Sequence, residues 1–197
     1  LTLATGGAAM VAAAYSSGKP AFGVGGGNST MVIDETADIA DAARNTRLSK
    51  TSDHGSGCSA DGNLLIDERI YEAMLAQLQA EGGHLANPEQ KALLERAMWH
   101  DDGTRIVATV AQPAPKLAAA AGFDIADDRT FIVVEQDEIG PEHRFSGEKL
   151  TTLLAAYRYH GFDDALAKVR QIYEVAGKGH SCGIYSFDDD HIHRLAL

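Results

Sequence analysis

Short, continuous apolar runs recur along the chain, and segments with helical spacing separate them. The runs Asn63–Asp67 and 130–134 consist mostly of Leu, Ile, Val and Phe, with no polar residue at every second position. This pattern is typical of strands buried on both faces. Between the two runs, residues 68–81 repeat apolar side chains at helical spacing until a Gly-Gly pair ends the segment. The alternation predicts an α/β fold, with a mostly parallel sheet and helices on both faces.

The rest of the chain continues this order. We predict further strands at Ala21–Val24, 30–34, 104–109 and 180–187, and further helices at 38–52, 88–100, 115–121 and 162–176, while 150–157 fits either. The pattern of residues 3–16 predicts a helix that begins almost at the start of the chain. The first residue is Leu1 and not methionine. We therefore expect a piece of a longer protein.

The charge and the apolar content exclude two classes of partner. Seventeen Lys and Arg against 28 Asp and Glu give a net charge of −11, which repels phosphate backbones and anionic lipid, so we expect no nucleic-acid partner. The longest apolar run, Ala8–Tyr15, has 8 residues, whereas a membrane-spanning helix needs about 20. With two cysteines and no basic, apolar leader, we expect a soluble protein of the reducing cytoplasm.

Cys58 lies in a loop of small residues between a predicted helix and a predicted strand. Gly55 and Gly57 precede it and permit a ligand to approach the backbone closely. A reactive thiol needs partial exposure and a nearby base or backbone N–H groups. The pattern fits a nucleophile, but it also fits a small buried cysteine, because free cysteines are often buried. His54 fits either a base for this thiol or a solvated loop residue.

Two glycine-rich segments invite a nucleotide interpretation. Thr5, Gly6 and Gly7 open a predicted helix, where free N–H groups favour an anion such as a pyrophosphate. An ordinary helix start is the simpler alternative. Residues 23–28 lack the last glycine of a dinucleotide fingerprint and lead from strand to strand, so we reject that interpretation for them.

Histidines near the end of the chain fit a metal site only by spacing. His180 and Cys182 alternate on a predicted strand, and His191 and His193 follow a run of three aspartates. No second ligand pair lies at the distance of a zinc ribbon. We therefore predict no metal.

Five segments together resemble a known family. They are ATGGAAMVAAAYSSGKPAFGVGGGN (4–28), VIDETADI (32–39), the Cys58 loop, SGEKL (146–150) and GKGHSCGIY (177–185). In this order they are similar to the catalytic half of the CoA-acylating aldehyde dehydrogenases, over nearly the whole chain. The resemblance implies the catalytic-domain fold of that family. It also implies an oxidoreductase that converts an aldehyde, with NAD or NADP and coenzyme A, to an acyl-CoA through a cysteine thioester.

The resemblance assigns roles to individual residues. Cys58 is the nucleophile, and its backbone N–H is one donor to the oxyanion. His180 matches a family histidine near the catalytic cysteine, which implies a general acid or base. Thr5, Gly6 and Gly7 match a turn that faces the cofactor. The acidic residue that holds the nicotinamide ribose is replaced by a histidine in the expected place, and the neighbouring Glu142 takes that role if the loop shifts by one residue.

The resemblance also bears on the acyl acceptor. Hydrolytic relatives place a water-activating glutamate just before the strand, but here Val24 stands at that position and residues 22–29 contain no carboxylate. A thiol attacks as a thiolate and needs no such base, so the absence favours coenzyme A over water. A water-using dehydrogenase is the alternative within the superfamily. A catalytically idle interaction module of the same fold is the alternative from another class.

The resemblance further divides the chain and suggests a substrate. Residues 1–20 correspond to the end of the cofactor-binding half or a linking helix, and residues 21–197 to the cysteine-bearing catalytic domain. Residues 140–150 resemble members that act on sulfoacetaldehyde, where Arg144 or Lys149 pairs with the sulfonate. The implied partners are a small aldehyde and coenzyme A, and we expect a homo-oligomer for the full-length protein.

Overall fold

Six strands form one sheet, and all of its neighbouring pairs are parallel. The computed structural model describes residues 1–197. Its strands are β1 (Thr2–Thr5), β2 (Ala21–Val24), β3 (Thr30–Ile33), β4 (Asn63–Asp67), β5 (Gly83–Leu85), β6 (Phe131–Gln136), β7 (Leu153–Tyr159) and β8 (Cys182–Tyr185). The order in the large sheet is β5-β6-β7-β4-β3-β8, and β1 pairs with β2 in a separate two-stranded parallel sheet.

Seven α-helices connect or follow these strands. They are α1 (Ala8–Tyr15), α2 (Ile39–Thr51), α3 (Tyr71–Ala80), α4 (Pro88–Met98), α5 (Ala114–Ala121), α6 (Phe162–Val175) and α7 (Asp189–Ala196). Short 3-10 turns occur at Ser52–Gly55, Val107–Thr109 and Arg144–Ser146. None of the helices is both long enough and apolar enough to cross a membrane.

Helices cover the large sheet on both faces, because successive strand residues point to opposite sides. Val32 and Leu65 belong to a buried cluster that also contains side chains of α4, α5 and α6, whereas Ile33 and Leu64 belong to a second cluster with α2 and α3. Every central strand therefore needs apolar residues at consecutive positions. This confirms the predicted α/β fold with a mostly parallel sheet and helices on both faces.

Two expectations about elements are wrong, and one segment that was left open is now assigned. Residues 104–109 form no strand: Arg105 pairs with Trp99 in a single antiparallel bridge, and a 3-10 turn follows. The guanidinium of Arg105 instead donates to the carbonyl oxygens of Met98 and Lys149, so side-chain bonds replace strand pairing. Residues 3–16 are not one helix, because residues 2–5 form β1. The ambiguous segment at 150–157 contains β7, which lies in the middle of the large sheet.

The pairing of β1 with β2 crosses the predicted division at residue 20. β1 pairs with β2 from Thr2↔Ala21 to Thr5↔Val24, and α1 lies between the two strands in sequence. Strand pairing therefore groups residues 2–24. Assignment of this unit to a cofactor-binding half stays a prediction.

Candidate active site

The loops that carry the predicted chemistry lead into four neighbouring strands. The Cys58 loop precedes β4, Gly27 precedes β3, Glu148 precedes β7 and His180 precedes β8. Parallel strands begin at the same edge of a sheet, so these loops meet at the amino edge of β7-β4-β3-β8. Open α/β sheets usually bind ligands at the carboxyl edge, and this candidate site lies at the opposite one.

Cys58 is an exposed, free cysteine. Its backbone N–H donates to no carbonyl of the protein, so it is available to an oxyanion. A cavity of about 220 Å³ opens beside it, and Ser49, Gly57 and Ser59 contribute to its lining. The thiol is thus accessible, and a hydrogen-bond donor is adjacent to it.

The turn before Cys58 is fixed by close backbone packing. Gly55 has φ +67°, and a Cβ atom there would lie 2.4 Å from the carbonyl oxygen of Thr151. Only glycine fits that conformation and that approach. After the cysteine, the buried Asp61 receives a hydrogen bond from the Ser49 hydroxyl at 3.1 Å, and its own N–H donates to the same hydroxyl at 3.0 Å. Both ends of the cysteine loop are therefore anchored.

A buried polar network ties the loops of β3, β4 and β7 together. The Asn63 amide donates to the Asn28 side-chain oxygen at 2.8 Å, and the Lys149 ammonium donates to the Asn63 oxygen at 2.8 Å. The Asn28 amide donates to the carbonyl of Ser146 at 2.8 Å. Since all four residues are at most 1% exposed, each polar group needs its partner. The network holds the amino edge in one arrangement.

His180 and Glu148 meet over Gly27. A Cβ atom at Gly27 would lie 2.7 Å from Nε2 of His180 and 3.0 Å from Oε1 of Glu148. Burial raises the pKa of Glu148, although the Gly27 N–H and the nearby His180 act in the opposite direction. His180 also lies 3.0 Å, through Nδ1, from the Ser181 hydroxyl. The structure therefore places a carboxylate next to the predicted histidine.

Sequence reasoning missed Glu148 in this position. It stands in the SGEKL motif, but no role followed from the motif. The absence of carboxylates from residues 22–29 likewise says nothing about side chains that arrive from elsewhere, and Glu148 reaches Gly27 from a loop 121 positions further along the chain. A match to the family's glycine and histidine motifs gives no distance between them.

Glu142 is not part of this group. It is exposed and lies 3.4 Å from the His143 ring, beside a cavity of about 480 Å³ that Glu138 and Arg144 also line. Its contact with the nicotinamide ribose stays a prediction.

Thr5, Gly6 and Gly7 lie at the end of β1 and the start of α1. No side chain caps this helix, and nothing lies within 4 Å of the position of a Cβ at Gly7. The turn has room for an anion, and its contact with a cofactor stays a prediction.

The side chains considered for a sulfonate are already engaged. Arg144 donates to the carbonyl oxygens of His100 and Asp101. Lys149 is buried and donates to Asn63 and to the carbonyl of Gly147. Lys149 is therefore closed to a substrate, whereas Arg144 lines two surface cavities and keeps N–H groups that these bonds do not use.

His54 and His191 do not lie beside His180. His54 is exposed and lines a different cavity with Pro113 and Asp127. His191 lies beyond the carboxyl end of β8, where its Nδ1 contacts Asp34 at 2.7 Å. Ligand atoms of Asp188, Asp190 and His191 lie within 4.8 Å of one another, but β8 separates them from His180 and Cys182.

The fold and the cysteine loop are similar to those of the aldehyde dehydrogenases. The sequence profile of the aldehyde dehydrogenase family matches residues 3–92. The more specific resemblance, to acylating members, is also confirmed. The chain is 36% identical to the sulfoacetaldehyde dehydrogenase of an Acholeplasma species over 99% of this chain and 41% of that protein.

Solved structures agree with this assignment. An acetylating aldehyde dehydrogenase from Geobacillus thermoglucosidasius superposes with a TM-score of 0.96 at 38% identity, over 99% of this chain and 43% of that one. A propionaldehyde dehydrogenase from Rhodopseudomonas palustris, solved with bound CoA and an acylated cysteine, superposes with a TM-score of 0.85 at 25% identity, over 100% and 44% of the two chains. The chain thus spans about two-fifths of the length of these relatives.

Proposed function

We propose that this chain carries the acyl-transfer site of a CoA-acylating aldehyde dehydrogenase, with Cys58 as the nucleophile. The observation that carries the proposal is the exposed Cys58 thiol, with its free N–H, on the same sheet edge as His180 and Glu148. The acylated cysteine in the Rhodopseudomonas structure supports this chemistry. An idle module of the same fold has no need for this arrangement.

The reaction follows from these groups. The Cys58 thiolate adds to the aldehyde carbonyl, and the Cys58 N–H stabilises the oxyanion. A nicotinamide cofactor, held by Thr5, Gly6, Gly7 and Glu142, would supply the hydride acceptor that the conversion of the thiohemiacetal to a thioester requires. The thiolate of coenzyme A then attacks that thioester carbonyl, the bond to Cys58 breaks, and acyl-CoA leaves while Cys58 regains its thiolate. His180 accepts the proton of the coenzyme A thiol before that attack and releases it to solvent afterwards.

The cofactor and assembly follow from the resemblance. We assign NAD or NADP to the longer protein, with Thr5, Gly6 and Gly7 facing the pyrophosphate and Glu142 as the ribose contact. Residues 1–20 would then close the cofactor-binding half, and residues 21–197 would be the catalytic domain. A homo-oligomer in the cytoplasm completes this proposal.

The substrate is a small aldehyde, and sulfoacetaldehyde is one candidate. The Acholeplasma relative is named for it, whereas the Geobacillus structure is of an acetylating enzyme. Lys149 is buried, so Arg144, which lines a surface cavity, is the better of the two cations for a sulfonate. Coenzyme A is preferred to water as the acceptor, since both solved relatives are acylating enzymes or hold CoA.

Incubation with acyl-CoA tests the proposal without a nicotinamide, because it runs the second half-reaction backwards. The chain and a Cys58→Ser control are mixed with acetyl-CoA or sulfoacetyl-CoA, and intact masses are measured. We expect one acyl group on the chain, mapped to Cys58, and none on the control. An adduct elsewhere, or equal labelling of the control, contradicts the assignment. The faster acyl donor indicates the substrate.

A further inference from the structure

Asn28 lies at the point where the loops of the candidate site meet. It follows Gly27, precedes β3 and is 1% exposed, so it is too buried to contact a substrate. The proposed chemistry gives it no role. A buried amide is unfavourable unless both its donor and its acceptor find partners. Its surroundings should therefore explain why an asparagine occupies this position.

The side chain of Asn28 bonds to three different parts of the chain. Its oxygen accepts from the Asn63 amide at 2.8 Å, at the start of β4. Its nitrogen donates to the carbonyl of Ser146 at 2.8 Å, in the loop before β7, and to the carbonyl of Ile172 at 3.5 Å, in α6. One amide therefore connects the strand that follows the Cys58 loop with the helix that leads to His180.

An amide of this size meets these demands because it carries a donor and an acceptor on one short side chain. Aspartate has the same shape, but its carboxylate would face two carbonyl oxygens with no proton to donate. Leucine would leave the Asn63 amide and the Ser146 carbonyl without these bonds. The position therefore needs the asparagine for its polar groups and not only for its volume.

The backbone at Asn28 supports the turn that carries His180. Gly177 has φ +79°, and a Cβ atom there would lie 2.5 Å from the backbone nitrogen of Asn28 and 2.7 Å from its Cβ. The carbonyl of Gly177 accepts from the N–H of His180 at 2.8 Å, which closes the turn. The imidazole then lies against Gly27, where a Cβ atom would be 2.7 Å from Nε2. The histidine turn thus rests on Gly27 and Asn28 at both of its ends.

The next residue, Ser29, ties the same segment to the end of the cysteine loop. Its carbonyl accepts from the N–H groups of Gly62 at 3.2 Å and Asn63 at 3.0 Å. With the bond between the Asn63 and Asn28 side chains, three hydrogen bonds join residues 28–29 to residues 62–63. A displacement of residues 27–29 would therefore move His180 relative to Cys58.

We propose that Asn28 is a positioning residue for acyl transfer: its side chain ties the strand after the Cys58 loop to the helix before His180, and so fixes the imidazole relative to the thiol. The proposal rests on the proposed function for the roles of Cys58 and His180. The position of the imidazole can be measured without that reaction.

The first test compares Asn28→Ala with Asn45→Ala in the acyl-CoA assay. Asn45 is a partly exposed residue of α2 whose amide donates to Asp41 at 3.1 Å, so it controls for the loss of an amide. In folded protein, Asn28→Ala should lower the maximal rate of Cys58 acylation by acetyl-CoA by roughly tenfold to a hundredfold. The half-saturating concentration should stay nearly unchanged. An unchanged maximal rate in folded Asn28→Ala, or an equal loss in Asn45→Ala, overturns the proposal.

A double-mutant cycle separates positioning from a general loss of structure. If Asn28 acts through His180, the double variant of Asn28→Ala with His180→Ala should be acylated as slowly as His180→Ala alone. Losses that multiply would mean that Asn28 acts by another route, and they would reject the proposal.

NMR of histidine-labelled protein follows the His180 imidazole directly, and His180→Ala assigns its signals. Asn28→Ala should shift or broaden these signals, because the imidazole loses its fixed place, and Asn45→Ala should leave them unchanged. Unchanged signals in folded Asn28→Ala overturn the proposal. If the wild-type chain shows no acylation of Cys58 while the signals respond to Asn28→Ala, the proposed function fails and the positioning of His180 by Asn28 stands.

Gly177→Ala tests the same contact from its other side if Asn28→Ala does not fold. Gly179→Ala is the matched control: Gly179 has φ +82° and nothing within 4 Å of its Cβ position, so both variants carry similar backbone strain. Gly177→Ala should perturb the His180 signals and slow Cys58 acylation more than Gly179→Ala does, because its methyl group displaces Asn28. Equal effects of the two variants reject the proposal.

Discussion

Gly27 shows how one missing side chain shapes the candidate site. The space that a Cβ atom would fill is taken by His180 and Glu148. Gly26 is a matched control, because a Cβ there would meet Glu148 Oε2 at 3.8 Å, an ordinary contact.

Gly27→Ala should therefore displace His180 or Glu148, and Gly26→Ala should not. We expect Gly27→Ala to lower the rate of Cys58 acylation by roughly tenfold to a hundredfold, since small displacements of catalytic groups have effects of that size. The rate is measured by intact mass with acyl-CoA. Equal rates in the two variants would show that the contact with Gly27 does not position the histidine.

Sequence reasoning reached some of these residues and not others. The small residues around Cys58 and the histidine motif are local signals. The meeting of Glu148 with His180, and the bonds of Asn28, Asn63 and Lys149, depend on which strands become neighbours. That order is a property of the folded sheet.

At the scale of elements, α7 shows how a short helix is attached to the sheet. His191 stacks on Phe162 with ring centroids 3.9 Å apart, and its Nδ1 lies 2.7 Å from the Asp34 carboxylate. Asp34 immediately follows β3 and is fully buried. These contacts join the end of β3 to both α6 and α7.

His191→Ala should loosen α7. The change removes the stacking and leaves Asp34 with one hydrogen-bond partner fewer, so we expect a loss of about 1–3 kcal/mol in the free energy of unfolding. The exposed His193, on the same helix, is the control, and His193→Ala should change stability by less than about 0.5 kcal/mol. Urea denaturation measures both. Similar losses in the two variants would contradict this attachment.

Asp34 should also make stability depend on pH. Burial raises its pKa, but hydrogen bonds from Thr36, His191 and Ser186 outweigh this, and the pKa lies below the ordinary value of 3.8. A carboxyl whose folded pKa is depressed stabilises the fold above the unfolded value and loses that contribution as the pH falls through the folded value.

The comparison of wild type with Asp34→Asn isolates this contribution, because Asp67 and other carboxyls titrate in both proteins. The difference in free energy of unfolding between wild type and Asp34→Asn should have its maximum value at pH 6. It should decrease as the pH falls below 3.8. Urea titrations at several pH values measure it. A difference that is constant with pH would mean that Asp34 is not specially stabilised as a carboxylate.

The sequence predicts an element correctly where its apolar pattern reflects burial in the sheet. β4 and β6 were recognised because their residues face both apolar clusters. Residues 104–109 have a similar β-branched content but lie where Arg105 bonds to Met98 and Lys149, and composition alone does not distinguish the two situations. The three residues of β5 are too few for a periodic signal.

For the whole molecule, the shared direction of the parallel strands decides at which edge of the sheet the candidate site forms. Four parallel strands bring loops that are far apart in sequence to one edge, and Cys58 is exposed there. Cys182 is a built-in comparison, because it is also an exposed, free cysteine, but it begins β8 and has a thiol pKa that desolvation raises.

The most direct test of Cys58 as the nucleophile is its rate of alkylation by iodoacetamide at pH 7, followed by peptide mapping. The account predicts that Cys58 reacts at least about tenfold faster than both Cys182 and free glutathione, because a catalytic cysteine occupies an exposed site that favours nucleophilic attack. It also predicts that His180→Ala lowers the rate of Cys58 alkylation. If Cys58 in the folded chain reacts no faster than Cys182 or glutathione, and His180→Ala changes nothing, the catalytic assignment of Cys58 is wrong.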